Sequence, residues 1–230
     1  GIAPAHRLVQ RGDQVVVPVA VLVVHRHAAL QEAAEPCGIE WLRQPRIIQR
    51  FRLVEQEAAV TIGRSDQRGA RVIGESTEDI ARTAKSAVLV LTGSKPMDGD
   101  RSEFLKSLRA LGVVTAYRQV DMGDAAAVKA LVRHIVEVHG GLNGVIHCAG
   151  TLRDGFLAGK SNDDLQAVLA PKVSGAIALR EACAGLDLDA FVLFSSLAGP
   201  FGNPGQADYA AANGFLDALA QTSGGQIKSI

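Results

Sequence analysis

The stretch SSLAGPFGNPGQADYAAAN, residues 195–213, sets Ser196 thirteen residues before Tyr209, and Asn213 four residues after it. A phenol has an ordinary pKa near 10, so it serves as a proton donor near neutral pH when a neighbouring cation favours its anion. The tyrosine and its spacing thus raise the question of general acid chemistry. Asn213 occupies the place where the supporting lysine is expected, so that lysine must come from elsewhere in the chain.

These residues need elements to hold them. From about residue 79 the hydrophobic pattern is regular. It predicts strands at 87–91, 113–120, 144–148 and 191–195. Helices are predicted at 102–111, 125–138, 163–182 and 207–220, the third kinked or split by Pro171. Strands alternating with helices at this spacing imply βαβ units and a parallel sheet. The first 70 residues lack such a period; strands at 15–24 and 58–62 are the readings there. In open parallel sheets, ligands bind beyond the carboxyl ends of the strands. Thr92-Gly93-Ser94-Lys95, Asp121, His147-Cys148-Ala149-Gly150 and Ser195-Ser196 all fall at such ends. Taken singly, each glycine reads equally as a turn and each serine as a helix cap. Their common placement is what suggests a site.

Composition narrows the class. Lys+Arg and Asp+Glu balance at 24 each, which gives no global electrostatic case for nucleic acid or an anionic membrane. Cys37, Cys148 and Cys183 have neither metal-ligand spacing nor an even count, so reduced buried thiols are expected, and no metal. The longest apolar run, 15–24, is too short to span a bilayer and contains Pro18, and the amino terminus lacks a signal-peptide layout. The expectation is a soluble, cytoplasmic chain.

The run APKVSG (170–175), followed by FVLFSSLAGPFGNPGQADYAAANGFLDAL, closely resembles the ketoreductase domain of modular polyketide synthases. LTGSKP, YRQVDMGDAAAVKALV and HCAGTLRDGF fit the same family, particularly its branch served by acyltransferases acting in trans. This is a branch of the short-chain dehydrogenase/reductase superfamily, and the likeness spans roughly 60% of the chain. It implies a Rossmann-like, doubly wound α/β fold and supplies the missing lysine. In these domains the lysine and asparagine exchange places relative to the wider superfamily. Lys172 would then support Tyr209, with Ser196 as carbonyl anchor and Asn213 completing the relay. It further implies NADPH as cofactor, held by Gly63, Gly69, Gly93, Ser94, Lys95, Asp121, Met122, His147, Ala149 and Gly150. An acyl carrier protein and the other synthase domains would be its partners. For stereocontrol it implicates Asp154, Phe201 and Gln206. Leu152-Arg153-Asp154 stands at the LDD motif of B-type enzymes, and Phe201 replaces the tryptophan that marks A-type ones, so a D-configured 3-hydroxyacyl product is expected.

The sequence departs from this family at two places. Its glycine-rich phosphate turn should fall at 62–69, where only Gly63 and Gly69 keep the spacing and side chains such as Asp66 oppose a pyrophosphate. Ser94 and Lys95 replace the arginine for the adenosine 2′-phosphate; Lys95 keeps the charge without the bidentate fork. The expected organisation is a divergent segment 1–70 and a ketoreductase-like domain 71–230 that stops before the family's lid and last strand. All seven lysines fall at Lys85 or later. That break suggests that 1–70 is a remnant of the family's structural subdomain or a frame-shifted read. The competing expectation is a non-catalytic scaffold that does not bind cofactor.

Overall fold

A computed structural model describes residues 77–78, 80–82 and 87–230, together with the strand 20–25. The strands are β1 (Ala20–His25), β2 (Ala87–Gly93), β3 (Val114–Gln119), β4 (Gly144–His147), β5 (Ala190–Leu193) and β6 (Lys228–Ser229). The helices are α1 (Gly99–Ala110), α2 (Ala125–His139), α3 (Asn162–Leu169), α4 (Gly175–Ala182), α5 (Ala198–Phe201) and α6 (Ala207–Gln221). One sheet takes the order β3-β2-β1-β4-β5-β6, the order of doubly wound dinucleotide-binding folds.

Strands buried on both faces explain the unbroken apolar run in β2. Val88 and Val90 pack with Val128, Val132 and Leu179, whereas Leu89 and Leu91 pack with Leu105 and Leu108 on the opposite side. Val145 and Ile146 of β4 divide between the same two layers. Helix ends follow the local chemistry. Asp98 caps α1 by accepting from Arg101 N at 2.9 Å. Asp124 caps α2, which ends on Gly140 at φ +80°, a left-handed position that suits glycine.

One expectation needs correction, the parallel sense of every strand. Of the run read as a strand at 15–24, the described part belongs to the strand Ala20–His25, and that strand is antiparallel to both neighbours. Pairs β2/β3, β4/β5 and β5/β6 are parallel as expected. Ala20 pairs with Thr92 and His147, so the amino end of β1 lies at the carboxyl edge of the sheet. The strand read at 58–62, with Gly63 and Gly69, lies outside the described residues. The 163–182 helix is α3 and α4 joined by a π turn, Ala170–Ser174. Pro171 lacks an N–H and its ring crowds the preceding turn, so the helix widens there instead of stopping. The terminal IKSI pairs beside β5: Ile230 N donates to Leu193 O at 3.0 Å and Ser195 N to Ile230 O at 2.7 Å.

Candidate active site at the carboxyl edge

The π turn positions the first functional side chain. Lys172 leaves the widened turn and points inward, 4% exposed, with Nζ donating to Phe194 O at 2.8 Å. Phe194 directly follows β5, so this bond ties the lysine to the strand end that carries Ser195 and Ser196. Nζ also stands 5.6 Å from the centroid of the Tyr209 ring. Burial pulls the ammonium from its ordinary 10.5 down to about 8. It is therefore still mostly protonated at pH 7.

Tyr209 lies in the first turn of α6 and is half-buried. One turn later, fully buried Asn213 donates Nδ2–H to Tyr209 O at 2.7 Å, and its own carbonyl accepts from Ser195 Oγ at 3.2 Å. Asn213 Oδ1 is buried with no hydrogen-bond partner. A buried acceptor left in this state is costly and suggests a role in a relay. Ser196 Oγ accepts from Ala198 N at 3.2 Å. That bond uses an acceptor site of the hydroxyl and leaves its proton to donate. Lys172, Tyr209, Asn213 and the Ser195-Ser196 strand end thus form one cluster, although the four are spread over 42 positions of sequence.

The surrounding residues divide into a wall and a floor. Ala149 is buried, and a Cβ on Gly150 would stand 3.1 Å from Lys172 Cε, so glycine keeps the lysine's path open. His147 is wholly buried beneath the π turn; a Cβ on Gly175 would come within 3.2 Å of its Cε1. Burial, and secondarily the Lys172 charge, bring the imidazole down to about 3. The backbone of Pro171 and Lys172 is near the ring, yet neither ring nitrogen reaches hydrogen-bond geometry. His147 is therefore a neutral core group, and the Met122 side chain is also core. Asp121 is exposed and closes its own turn by accepting from Gly123 N at 2.8 Å.

At the β2 end, Ser94 and Lys95 are exposed, while a Cβ on Gly93 would collide with Tyr117 Oη at 2.5 Å. The Tyr117 hydroxyl donates to Lys95 O at 2.6 Å. On the other flank, Gln206 Nε2 donates to Asp154 Oδ1 at 2.9 Å and Gln206 Oε1 accepts from Asn203 at 2.8 Å. Phe201 is 81% exposed and Phe156 80%.

A nicotinamide dinucleotide makes two demands on this edge. The riboside end needs donors and space; Lys172, with protons beyond the one given to Phe194, and the small Ala149-Gly150 wall fit that demand. The pyrophosphate needs backbone amides of a glycine-rich turn leaving the central strand at this edge. Here β1 ends at His25, opposite Ala87, on the far side of the sheet. The segment 62–69, where the sequence sets that turn, lies outside the described residues.

Sequence reading missed the buried ion pair Lys160–Asp208 and the Phe194 carbonyl that holds Lys172. The only local hint was an aspartate directly before the tyrosine. Among the described residues, no group of three or more His, Cys, Asp or Glu could hold a metal, and no helix is long and apolar enough to cross a membrane.

A family model, the KR domain, matches residues 69–227. Polyketide synthase PksL of Bacillus subtilis is 45% identical over 148 residues, 64% of this chain and 3% of that protein. Polyketide synthase PksN of the same organism is 45% identical over 143 residues, 62% of this chain and again 3% of its length. The chain thus spans a small part of the curated relatives it matches. Among solved structures, a ketoreductase domain from the bacillaene assembly line superposes with a TM-score of 0.62 at 43% identity, covering 63% of this chain and 35% of that one. An A-type ketoreductase from a modular polyketide synthase gives a TM-score of 0.62 at 36% identity, over 68% of this chain and 34% of that one.

Proposed function

The chain belongs to the KR domain family, and on that premise we propose that it is a ketoreductase of polyketide biosynthesis, reducing a 3-oxoacyl thioester on an acyl carrier protein to the 3-hydroxyacyl form. NADPH is the cofactor in this reading, and the carrier protein and neighbouring synthase domains are the partners. The observation that supports it most is the seating of Lys172: a buried ammonium, anchored on Phe194 O, beside the Tyr209 ring.

When bound, the reduced nicotinamide supplies hydride to the carbonyl carbon. Tyr209 gives its hydroxyl proton to the carbonyl oxygen, and Ser196 donates a hydrogen bond to that same oxygen. Lys172 stabilises the tyrosinate left behind and remains mostly charged at pH 7. Asn213 Oδ1 offers its acceptor to the relay that returns the proton. Lys172, Ala149 and Gly150 would hold the nicotinamide riboside, with Gly93, Ser94, Lys95, Asp121 and the backbone of Met122 lining the adenosine side. The Gln206–Asp154 bond and a phenylalanine at 201 favour B-type delivery and a D-configured product.

A second reading, a non-catalytic scaffold, is favoured by the reversed direction of β1. Turnover of a 3-oxoacyl thioester with NADPH separates the two, followed by loss of the reduced-nicotinamide absorbance and by chiral analysis of the product. The chain should give the D-alcohol, and Tyr209→Phe should lose on the order of a hundredfold or more in kcat. A folded chain with no turnover would support the scaffold.

A further inference from the structure

Three tethers join loop 153–160 to the entrance of α6. Gly155 N donates to Gly205 O at 2.8 Å, and Gln206 Nε2 donates to Asp154 Oδ1 at 2.9 Å. The third is the Lys160–Asp208 ion pair, whose side chains are only 4% and 1% exposed. Lys160 Nζ also donates to Arg153 O at the start of the loop, and Asp208 Oδ1 accepts from Tyr209 N at 2.9 Å. Taken in order, the contacts run from the loop through an ammonium and a carboxylate to the backbone of Tyr209.

Two buried charges cost desolvation that their attraction repays only with good geometry, and a hydrophobic pair of similar size is often equally stable. Stability alone therefore gives little reason for this pair. Its location gives a better one. The same loop lines an open concavity of about 370 Å³ formed by Arg153, Asp154, Phe156, Gly159, Lys160 and Asp164. Phe156 stands 80% exposed on it.

We propose that Lys160 and Asp208 are positioning residues, which lock loop 153–160 and the first turn of α6 into one unit and thereby set the Tyr209 ring against Lys172. The inference rests on the ketoreductase reading for its purpose, but not for its test. The chain has two tyrosines, so a sample labelled with 13C at tyrosine Cζ gives two resonances, assigned with Tyr117→Phe. Lys160→Met/Asp208→Leu removes both charges at similar volume. It should unfold at nearly the wild-type temperature, yet shift and broaden the Tyr209 resonance. Lys160→Arg, which keeps a cation for the carboxylate, should retain the wild-type resonance. An unmoved Tyr209 resonance in the folded double variant overturns the proposal.

Should the double variant not fold, hydrogen exchange of the unaltered chain decides. The amides of Gly155 and Tyr209, released by one opening, should show protection factors within about tenfold of one another. A wider gap overturns the single unit. Neither readout needs cofactor or turnover, so an inactive chain still tests the clamp. In an active chain the double variant should lower kcat by roughly tenfold to a hundredfold with a smaller change in KM, because the misplaced acid matters in the transition state.

Discussion

Replacing Lys172 by methionine should make this protein more stable at neutral pH while abolishing its proposed chemistry. The ammonium is 4% exposed and its pKa falls from 10.5 to about 8, chiefly through burial. A downward shift of this size means that the folded state disfavours the charged form by about 3 kcal/mol at pH 7. Since the folded pKa is the lower one, the unfolded chain binds more protons between pH 8 and 10.5, and wild-type stability rises across that window. The penalty is thus full below pH 8, about 2 kcal/mol at pH 9 and about 1 kcal/mol at pH 10. Methionine has a similar length and no charge, but it leaves the Phe194 carbonyl without its donor, which costs about 1 kcal/mol. The net expectation is a gain of about 2 kcal/mol at pH 7 that vanishes near pH 10. Urea denaturation of both proteins at pH 7, 9 and 10 measures it. A methionine variant less stable than wild type at pH 7, or a difference independent of pH, would refute the reasoning.

Other outcomes follow from the same geometry. His147 is held neutral well below its ordinary 6.5, so its contribution to stability is lost as pH falls from 6.5 towards 3. His147→Leu should flatten that limb of the acid denaturation curve, monitored by circular dichroism. Gly199→Ala places a Cβ 2.9 Å from Asp217 Oδ2 and 3.1 Å from Gly214 N where α5 meets α6. It should cost about 1–3 kcal/mol by thermal or urea melting, as overpacking does. Gly175→Ala meets Met122 O at 3.0 Å and should weaken the π turn by a similar amount, with the loss visible in exchange rates of the 170–175 amides.

The sequence was most informative where burial is two-sided and periodic. AVLVL and FVLF read as strands because parallel sheets bury both faces, and α2 and α6 read as helices within a residue or two of their observed ends. The direction of β1 was not readable, because an apolar run of valines looks the same in either orientation and the connection, not the strand, sets its sense. Pro171 signalled a break; it could not signal that the helix would widen and turn Lys172 inward. The residue types at 172, 196, 209 and 213 were legible from the family likeness, and the structure brings Lys172 to the Tyr209 ring. The Lys160–Asp208 pair was invisible, since 48 residues separate its members and each alone resembles an ordinary surface charge.

The most direct test of the central claim is calorimetric titration of the folded chain with NADPH, run in parallel on Tyr209→Phe. A catalytic ketoreductase domain should bind in the micromolar range in both proteins, because the phenol hydroxyl acts in the chemical step and Lys172 still holds the riboside. A chain that keeps its circular dichroism spectrum yet shows no heat of binding up to millimolar NADPH would contradict the account. It would leave Lys172, Ser196, Tyr209 and Asn213 as inherited features of a scaffold.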